Sequence, residues 1–197
     1  MIALPDTHKT EVLMSTTRIS VLSKRMATIT LAFLIMMILL NVVAWLFPGN
    51  IAGHGLGFSL TETFISDSKV NVASLPGWQI AGAIILSSIP LLALVFGLYQ
   101  LRLLFQTYAQ KAYFSVTAAQ HLGRVGKSIA IWTLLTFICE PLLSIWLTMQ
   151  APEGQQFISF SFTVQDVVAL FLAVCITIIA HILQQASMIY TENQEFI

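Results

Sequence analysis

Glu140 is the only charged residue deep inside one of the long apolar stretches of this sequence, the stretch from about 128 to 149. It lies about twelve residues into that stretch, which is roughly 18 Å along a helix and close to the middle of a 30 Å hydrocarbon core. An ionisable side chain at this depth is costly when charged, and it typically faces a protein interior or marks an ion or proton path. Proton-coupled transport is therefore one chemistry that Glu140 could support.

The polar residues expected around Glu140 indicate a second, structural role. Spacings of three or four residues place Thr136 and Ser144 on the helix face of Glu140. Counting along the other apolar stretches brings three more polar residues to a similar depth, Asn41, Ser87 and Ser88. A neutral carboxyl could donate to a serine or to the Phe137 carbonyl, which Pro141 deprives of its helix hydrogen bond. These six polar residues, Glu140 included, form the predicted intramembrane polar site, where Glu140 either fixes helix packing or relays protons.

The other reactive residue types form no recognisable catalytic or ligand-binding pattern. No Ser-His-Asp, Cys-His or paired-carboxylate set converges on one predicted membrane face, and no Cys/His spacing of the structural-zinc type occurs. The glycine-rich segment 53–57 lacks the preceding strand and following helix of a nucleotide-binding loop. Only His181 lies near the end of an apolar stretch, and haem ligation by histidine pairs would need more. We therefore expect no enzyme activity, no metal and no cofactor.

The composition places the chain in a membrane. Of its 197 residues, 57% are apolar and 9% are charged, whereas a soluble domain carries roughly 25% charged residues. Nine Lys/Arg balance nine Asp/Glu, so no net positive charge is available for a nucleic-acid backbone, and we expect no direct nucleic-acid binding. Four apolar stretches are long enough to cross a bilayer as helices, at about 26–47, 78–101, 128–149 and 164–186.

These stretches predict an all-α, polytopic membrane protein. A single four-helix domain is expected over 24–197, preceded by a flexible N-terminal tail over 1–23. Small residues at Ala93-x-x-x-Gly97 and Ala169-x-x-x-Ala173 permit close helix contacts, within the chain or in a homo-oligomer. Asp166 is expected to cap the fourth helix. Phe-Ser alternation and related patterns over 58–64 and 157–163 predict short strands in the two outer loops.

The lysines and arginines predict the orientation. Of the nine, only Lys69 lies in a connection that follows the first or third span. The other eight are Lys9, Arg18, Lys24, Arg25, Arg102, Lys111, Arg124 and Lys127. By the positive-inside rule, both termini and the middle connection face the cytoplasm of a cell whose inner membrane holds the protein as a multi-pass chain. Trp45, Trp78 and Trp146 lie near the opposite ends of their spans and agree with this orientation.

A basic connection and an acidic tail are predicted to share the cytoplasmic face. Ser115 is expected to cap a short helix that ends at Gly123, and the last residues continue a helical pattern and turn acidic. Aromatic and charged residues on these segments are suited to a partner protein. They are Lys111, Tyr113, Phe114, Ser115, Arg124, Glu192 and Glu195. Alternatively, Tyr113 and Phe114 enter the headgroup layer while Lys111 and Arg124 contact anionic membrane lipid.

Several short elements of the sequence resemble one known family. They are the four apolar stretches, Phe114-Ser115 with the following Leu122-x-x-Val125-Gly126, and the closing Glu192-Asn193-x-Glu195-x-Ile197. Over about residues 24–197 the chain resembles the bacterial family called domain of unknown function 2975. The resemblance implies a small four-helix membrane protein without an assigned activity, whose gene often neighbours that of a small helix-turn-helix regulator.

Two functions are consistent with these residues. The first is a regulatory or partner-binding membrane protein that acts through its cytoplasmic face and holds a cytoplasmic regulator. It is favoured because the distinctive polar residues cluster on that face. The alternative is a small permease or proton-coupled transport subunit that uses Glu140, in which an oligomer repeats the carboxyl around an axis.

Overall fold

The computed structural model describes residues 7–47, 75–110, 115–150, 158–160 and 162–195, with the backbone alone described for 7–18 and 190–195. This part of the chain forms four helices and no strand. The helices are α1 (Thr7–Leu46), α2 (Gly77–Ala109), α3 (Val116–Thr148) and α4 (Val164–Glu195). Each contains an apolar window long enough to cross a bilayer. The prediction of an all-α protein with four helices long and apolar enough to span a membrane is confirmed for the described residues.

All four helices extend past the predicted spans at the end where the lysines and arginines lie. α3 begins at Val116, so the connection between α2 and α3 shortens to residues 110–115. Gly123 lies inside α3, and the prediction that it ends a short helix was wrong, because one interior glycine costs a helix only about 1 kcal/mol. α1 begins at Thr7, so most of the segment predicted as a tail, 1–23, is helical.

Ser115 caps α3, as its position before the helix predicted. Its Oγ accepts a hydrogen bond from the Ala118 backbone N–H at 3.1 Å. We expect Ser115→Ala to lower the free energy of unfolding by about 1 kcal/mol, because this amide loses its acceptor. Ser115→Asp retains an acceptor and should melt near the wild-type temperature in detergent. Equal destabilisation by alanine and aspartate would contradict the capping role.

The helices form an open row rather than a closed bundle. α1 packs against α2, α2 against α3 and α3 against α4, whereas no comparable interface joins α1 to α4 in the described part of the chain. α4 lies at an edge of the row: 11% of its most apolar window is buried, against 33% for α3. A long apolar face of α4 is therefore available to lipid or to another protein.

Small residues let neighbouring helices approach closely. A Cβ atom on Gly97 of α2 would collide with the Ser128 hydroxyl of α3, which donates to the Ala93 carbonyl at 2.6 Å. A Cβ atom on Gly126 of α3 would lie 2.8 Å from the Ala173 carbonyl oxygen of α4. Both small-residue spacings noticed in the sequence therefore contribute contacts between helices of one chain.

The antiparallel row gathers charged side chains at one end, here called the basic end. At this end the Ser20 hydroxyl of α1 donates to the Ala109 carbonyl of α2 at 2.7 Å, and His121 of α3 forms a 2.7 Å hydrogen bond with Gln100 of α2. The lysines and arginines with described side chains all lie toward it: Lys24, Arg25, Arg102, Arg124 and Lys127. His121 therefore belongs to a helix interface, not to a loop.

Candidate functional site

Glu140 is buried and is held by a segment outside the four helices. The residue is 2% exposed, and its carboxyl Oε1 accepts a hydrogen bond from the Ser159 hydroxyl at 2.8 Å. The Ser159 backbone N–H donates to Ser144 Oγ at 3.1 Å. Ser144 in turn donates to the Pro141 carbonyl at 2.8 Å. A serine does bond Glu140, as one predicted alternative had it, but this serine comes from the connection between α3 and α4.

Aromatic rings fix the same segment to α3. The ring centroids of Phe160 and Phe162 lie 6.4 and 5.9 Å from that of Phe137. Next to them Thr163 and Asp166 start α4: the Thr163 N–H and hydroxyl both donate to Asp166 Oδ2 at 2.8 Å. The predicted capping role of Asp166 is confirmed.

The predicted outer-loop strands are not found in the described residues. Residues 58–64 lie outside those residues, and the described part of 157–163 is irregular. This second segment forms no strand because Ser159 bonds the polar side chains of α3 while Phe160 and Phe162 pack on Phe137. The alternation of serine and phenylalanine thus separates polar from aromatic contacts without a strand partner.

Glu140 lies on the part of α3 that extends beyond the start of α4. Trp45, one residue before the end of α1, packs in a buried cluster with Cys139 and Leu143 of α3. α4 begins just after Phe162, which contacts α3 one turn before Glu140. α3 continues past Glu140 to Thr148, roughly 12 Å farther. The docked segment 158–160 therefore lies along α3 at a level that α4 does not reach.

Three residues of the predicted intramembrane polar site bond one another between α1 and α2. Asn41 of α1 donates to the hydroxyls of Ser87 and Ser88 of α2 at 3.4 and 3.3 Å. The Trp45 indole donates to the Ser87 hydroxyl at 3.1 Å. Trp45 also packs in a buried cluster with apolar residues of α3. The structure therefore brings Asn41, Ser87 and Ser88 together in an interface of α1 and α2.

The hydroxyls of the α3 polar stripe bond their own helix. Thr133 donates to the Ile129 carbonyl at 3.1 Å, Thr136 to the Trp132 carbonyl at 2.9 Å, and Thr148 to the Ser144 carbonyl at 2.7 Å. This pattern satisfies polar groups locally, as serine and threonine commonly do within helices. The described bonds of these hydroxyls do not link Glu140 to the basic end.

Two polar contacts were missed by reasoning from sequence. One is Ser159. The other is a reciprocal pair at the start of α2, where the Gln79 amide donates to the Trp146 carbonyl at 3.2 Å and the Trp146 indole donates to the Gln79 carbonyl at 3.0 Å. A glutamine at the margin of an apolar stretch, opposite an interfacial tryptophan, is the signal that could have suggested this pair.

The predicted partner-binding residues are described only in part. Lys111, Tyr113 and Phe114 lie outside the described residues. α4 continues as a helix through Glu192 and Glu195, of which the backbone is described. The two remaining members are Ser115, which caps α3, and Arg124, which is exposed beside a cavity between α3 and α4.

Fold and site together define the class: this is a polytopic α-helical membrane protein with a buried carboxyl held by a non-helical segment. Within the described residues no three His, Cys, Asp or Glu side chains come together as a metal site. The chain matches the family described as protein of unknown function (DUF2975) over residues 16–197, and it belongs to that family. Comparisons with the curated proteins and with the solved structures found no match.

Proposed function

We propose that this protein is a membrane-held regulatory protein that binds a partner through its basic end, which faces the cytoplasm. The observation that carries the proposal is the length of α4. The predicted span ends near residue 186, but the helix continues to Glu195. Met188 and Ile189, which lie beyond the predicted end and close the apolar span Val164–Ile189 of the structure, are 44% and 60% exposed. Exposed apolar side chains on a helix that leaves the bilayer favour contact with another protein.

The chemistry of the extension indicates the kind of partner. Two apolar residues are followed by Glu192 and Glu195 on the same helix, so a partner surface with an apolar groove and a basic rim would fit. The family resemblance implies a small helix-turn-helix regulator, and nucleic-acid-binding proteins of this kind carry basic surfaces. On this proposal the membrane protein binds the regulator and contacts no nucleic acid itself. It acts by binding and catalyses no reaction.

A matched pair of isoleucines tests the proposal. Ile189 on the α4 extension and Ile158 on the docked segment at the other end are each 60% exposed. We expect Ile189→Ala to lower recovery of a helix-turn-helix regulator from mild-detergent extracts by roughly fivefold or more, because apolar anchors dominate interfaces. The Ile158→Ala variant should bind and recover the regulator as well as the wild type does. The Phe114→Ala variant tests the connection between α2 and α3. Equal recovery by the wild type and all three variants would contradict the proposal.

The alternative function, a small permease or proton-coupled transport subunit, is supported by one observation, the buried Glu140 carboxyl. An open row of four helices encloses no path by itself, so transport would require further copies packed on the exposed faces of α1 or α4. A homo-oligomer is thus a requirement of the alternative, whereas partner binding at the basic end does not need one.

A further inference from the structure

A cavity opens between α3 and α4 at the basic end. Its volume is about 190 Å³. Three of the residues that line it are small, Ala119 and Gly123 on α3 and Ala180 on α4. The others carry polar side chains: Gln120, Arg124, Lys127, Thr177, His181 and Gln184. The hollow exists because the two helices approach closely at small residues, while the long side chains project past them.

The side chains around the cavity are suited to an anion. Arg124 and Lys127 are both exposed, and no described residue forms an ion pair with either of them. The amides of Gln120 and Gln184 add hydrogen-bond donors, and among the described side chains no carboxylate lines the cavity. Guanidinium and ammonium groups with neighbouring amide donors match the oxygens of a phosphate group in both charge and geometry.

Size and position restrict the ligand further. A cavity of about 190 Å³ has room for a phosphate group and its first substituent. Lys127 precedes the apolar stretch that continues to Thr148, and its 21 positions correspond to about 31 Å of helix. That length matches the hydrocarbon core, so Arg124 and Lys127 lie at the headgroup layer of the basic end, and Gln184 lies two residues before the end of the predicted α4 span at 186.

We propose that the cavity between α3 and α4 is a binding site for a phosphate group, supplied by an anionic phospholipid headgroup or by free phosphate. Arg124 and Lys127 contact the phosphate oxygens, and Gln120 and Gln184 donate to those that remain. Basic pockets between membrane helices bind lipid headgroups through the same chemistry. Arg124 is shared with the predicted partner surface, whereas Met188 and Ile189 lie outside the cavity.

The test measures the melting temperature of the full chain in phosphatidylcholine-supplemented detergent while phosphatidylglycerol or inorganic phosphate is added at constant ionic strength. We expect one of the two to raise the melting temperature by roughly 4 °C or more. A shift with phosphatidylglycerol alone identifies the lipid headgroup as the source. A shift with inorganic phosphate of equal size identifies the free ion. No shift with either would overturn the proposal.

Matched variants distinguish the cavity from general surface charge. The double variant Arg124→Gln with Lys127→Gln is expected to weaken binding about 25-fold, at about fivefold for each cation. Arg102→Gln removes a cation of the basic end that does not line the cavity, and its titration should follow wild type. Gln184→Glu keeps both cations, adds a carboxylate and should also abolish the shift. A similar loss with Arg102→Gln, or normal binding by the double variant and by Gln184→Glu, would refute the site.

Discussion

A single methyl group at Gly126 is expected to separate α3 from α4 and to lower the free energy of unfolding by roughly 2 kcal/mol. The added Cβ atom of Gly126→Ala would lie 2.8 Å from the Ala173 carbonyl oxygen and 2.5 Å from Thr177 Oγ1. Because a backbone atom is involved, a change of side-chain rotamer cannot relieve the whole contact. The helices must move apart, and α4 would lose packing against the only neighbour with which it shares an extensive described interface.

Gly123 is the matched control for this prediction. It lies three residues earlier in the same helix and also faces α4, but its added Cβ atom would be 3.4 Å from the Ala180 Cβ, close to ordinary van der Waals contact. Gly123→Ala and Gly126→Ala gain the same helix propensity, about 1 kcal/mol. Thermal unfolding in detergent should therefore show Gly123→Ala at or above the wild-type temperature and Gly126→Ala well below it. Equal melting temperatures for the two variants would contradict the packing argument.

Features that depend on local sequence were predictable. The four spans follow from apolar length alone, since a helix must satisfy its backbone within the bilayer. The caps at Ser115 and Asp166 follow from side chains that accept from backbone amides three residues away, those of Ala118 and Thr163. The burial of Glu140 follows from its spacing with Ser144 and from the cost of exposing a carboxyl to lipid.

Features that depend on which surfaces meet were not predictable from one sequence. Apolar length does not state which helices are neighbours, so an open row and a closed bundle have the same hydropathy. Counting residues along each span predicted that Asn41, Ser87 and Glu140 lie at a similar depth, but depth alone does not state that Asn41 bonds Ser87 or that Glu140 bonds Ser159. The serine-phenylalanine alternation before α4 suits a strand and a docked segment equally well, and only the positions of Phe137 and Glu140 select the second.

Removing the Glu140 carboxyl is expected to release the segment that covers it. Glu140→Leu leaves the Ser159 hydroxyl without its 2.8 Å acceptor and should cost about 1–3 kcal/mol. Glu140→Gln keeps an oxygen acceptor and the side-chain shape, so its unfolding free energy should stay within about 0.5 kcal/mol of wild type. Cys139, beside Glu140, is 3% exposed, so its thiol becomes reactive when the segment 158–160 is released. In a Cys175→Ser background, a thiol-reactive fluorophore should label Cys139 at a lower temperature in the leucine variant.

A double-mutant cycle assigns the effect to the Ser159 contact. Ser159→Ala removes the same hydrogen bond from the other side while its backbone N–H can still donate to Ser144. If the bond accounts for the loss, Glu140→Leu with Ser159→Ala should melt close to Glu140→Leu alone. Additive losses would mean that Glu140 stabilises the fold through other contacts.

The glutamine variant also separates the structural role from transport. Gln cannot carry a proton, so a transport subunit would lose proton flux in reconstituted vesicles while keeping its wild-type melting temperature. If the role of Glu140 is structural, the Glu140→Gln variant keeps its stability and still recovers the partner at the basic end. Vesicles loaded with a pH-sensitive dye then show the same proton flux with the wild type and with the variant. A stable glutamine variant that selectively loses flux would therefore favour the transport alternative over the regulatory proposal. Equal destabilisation by glutamine and leucine would contradict both accounts, because each requires that Gln preserves the Ser159 contact.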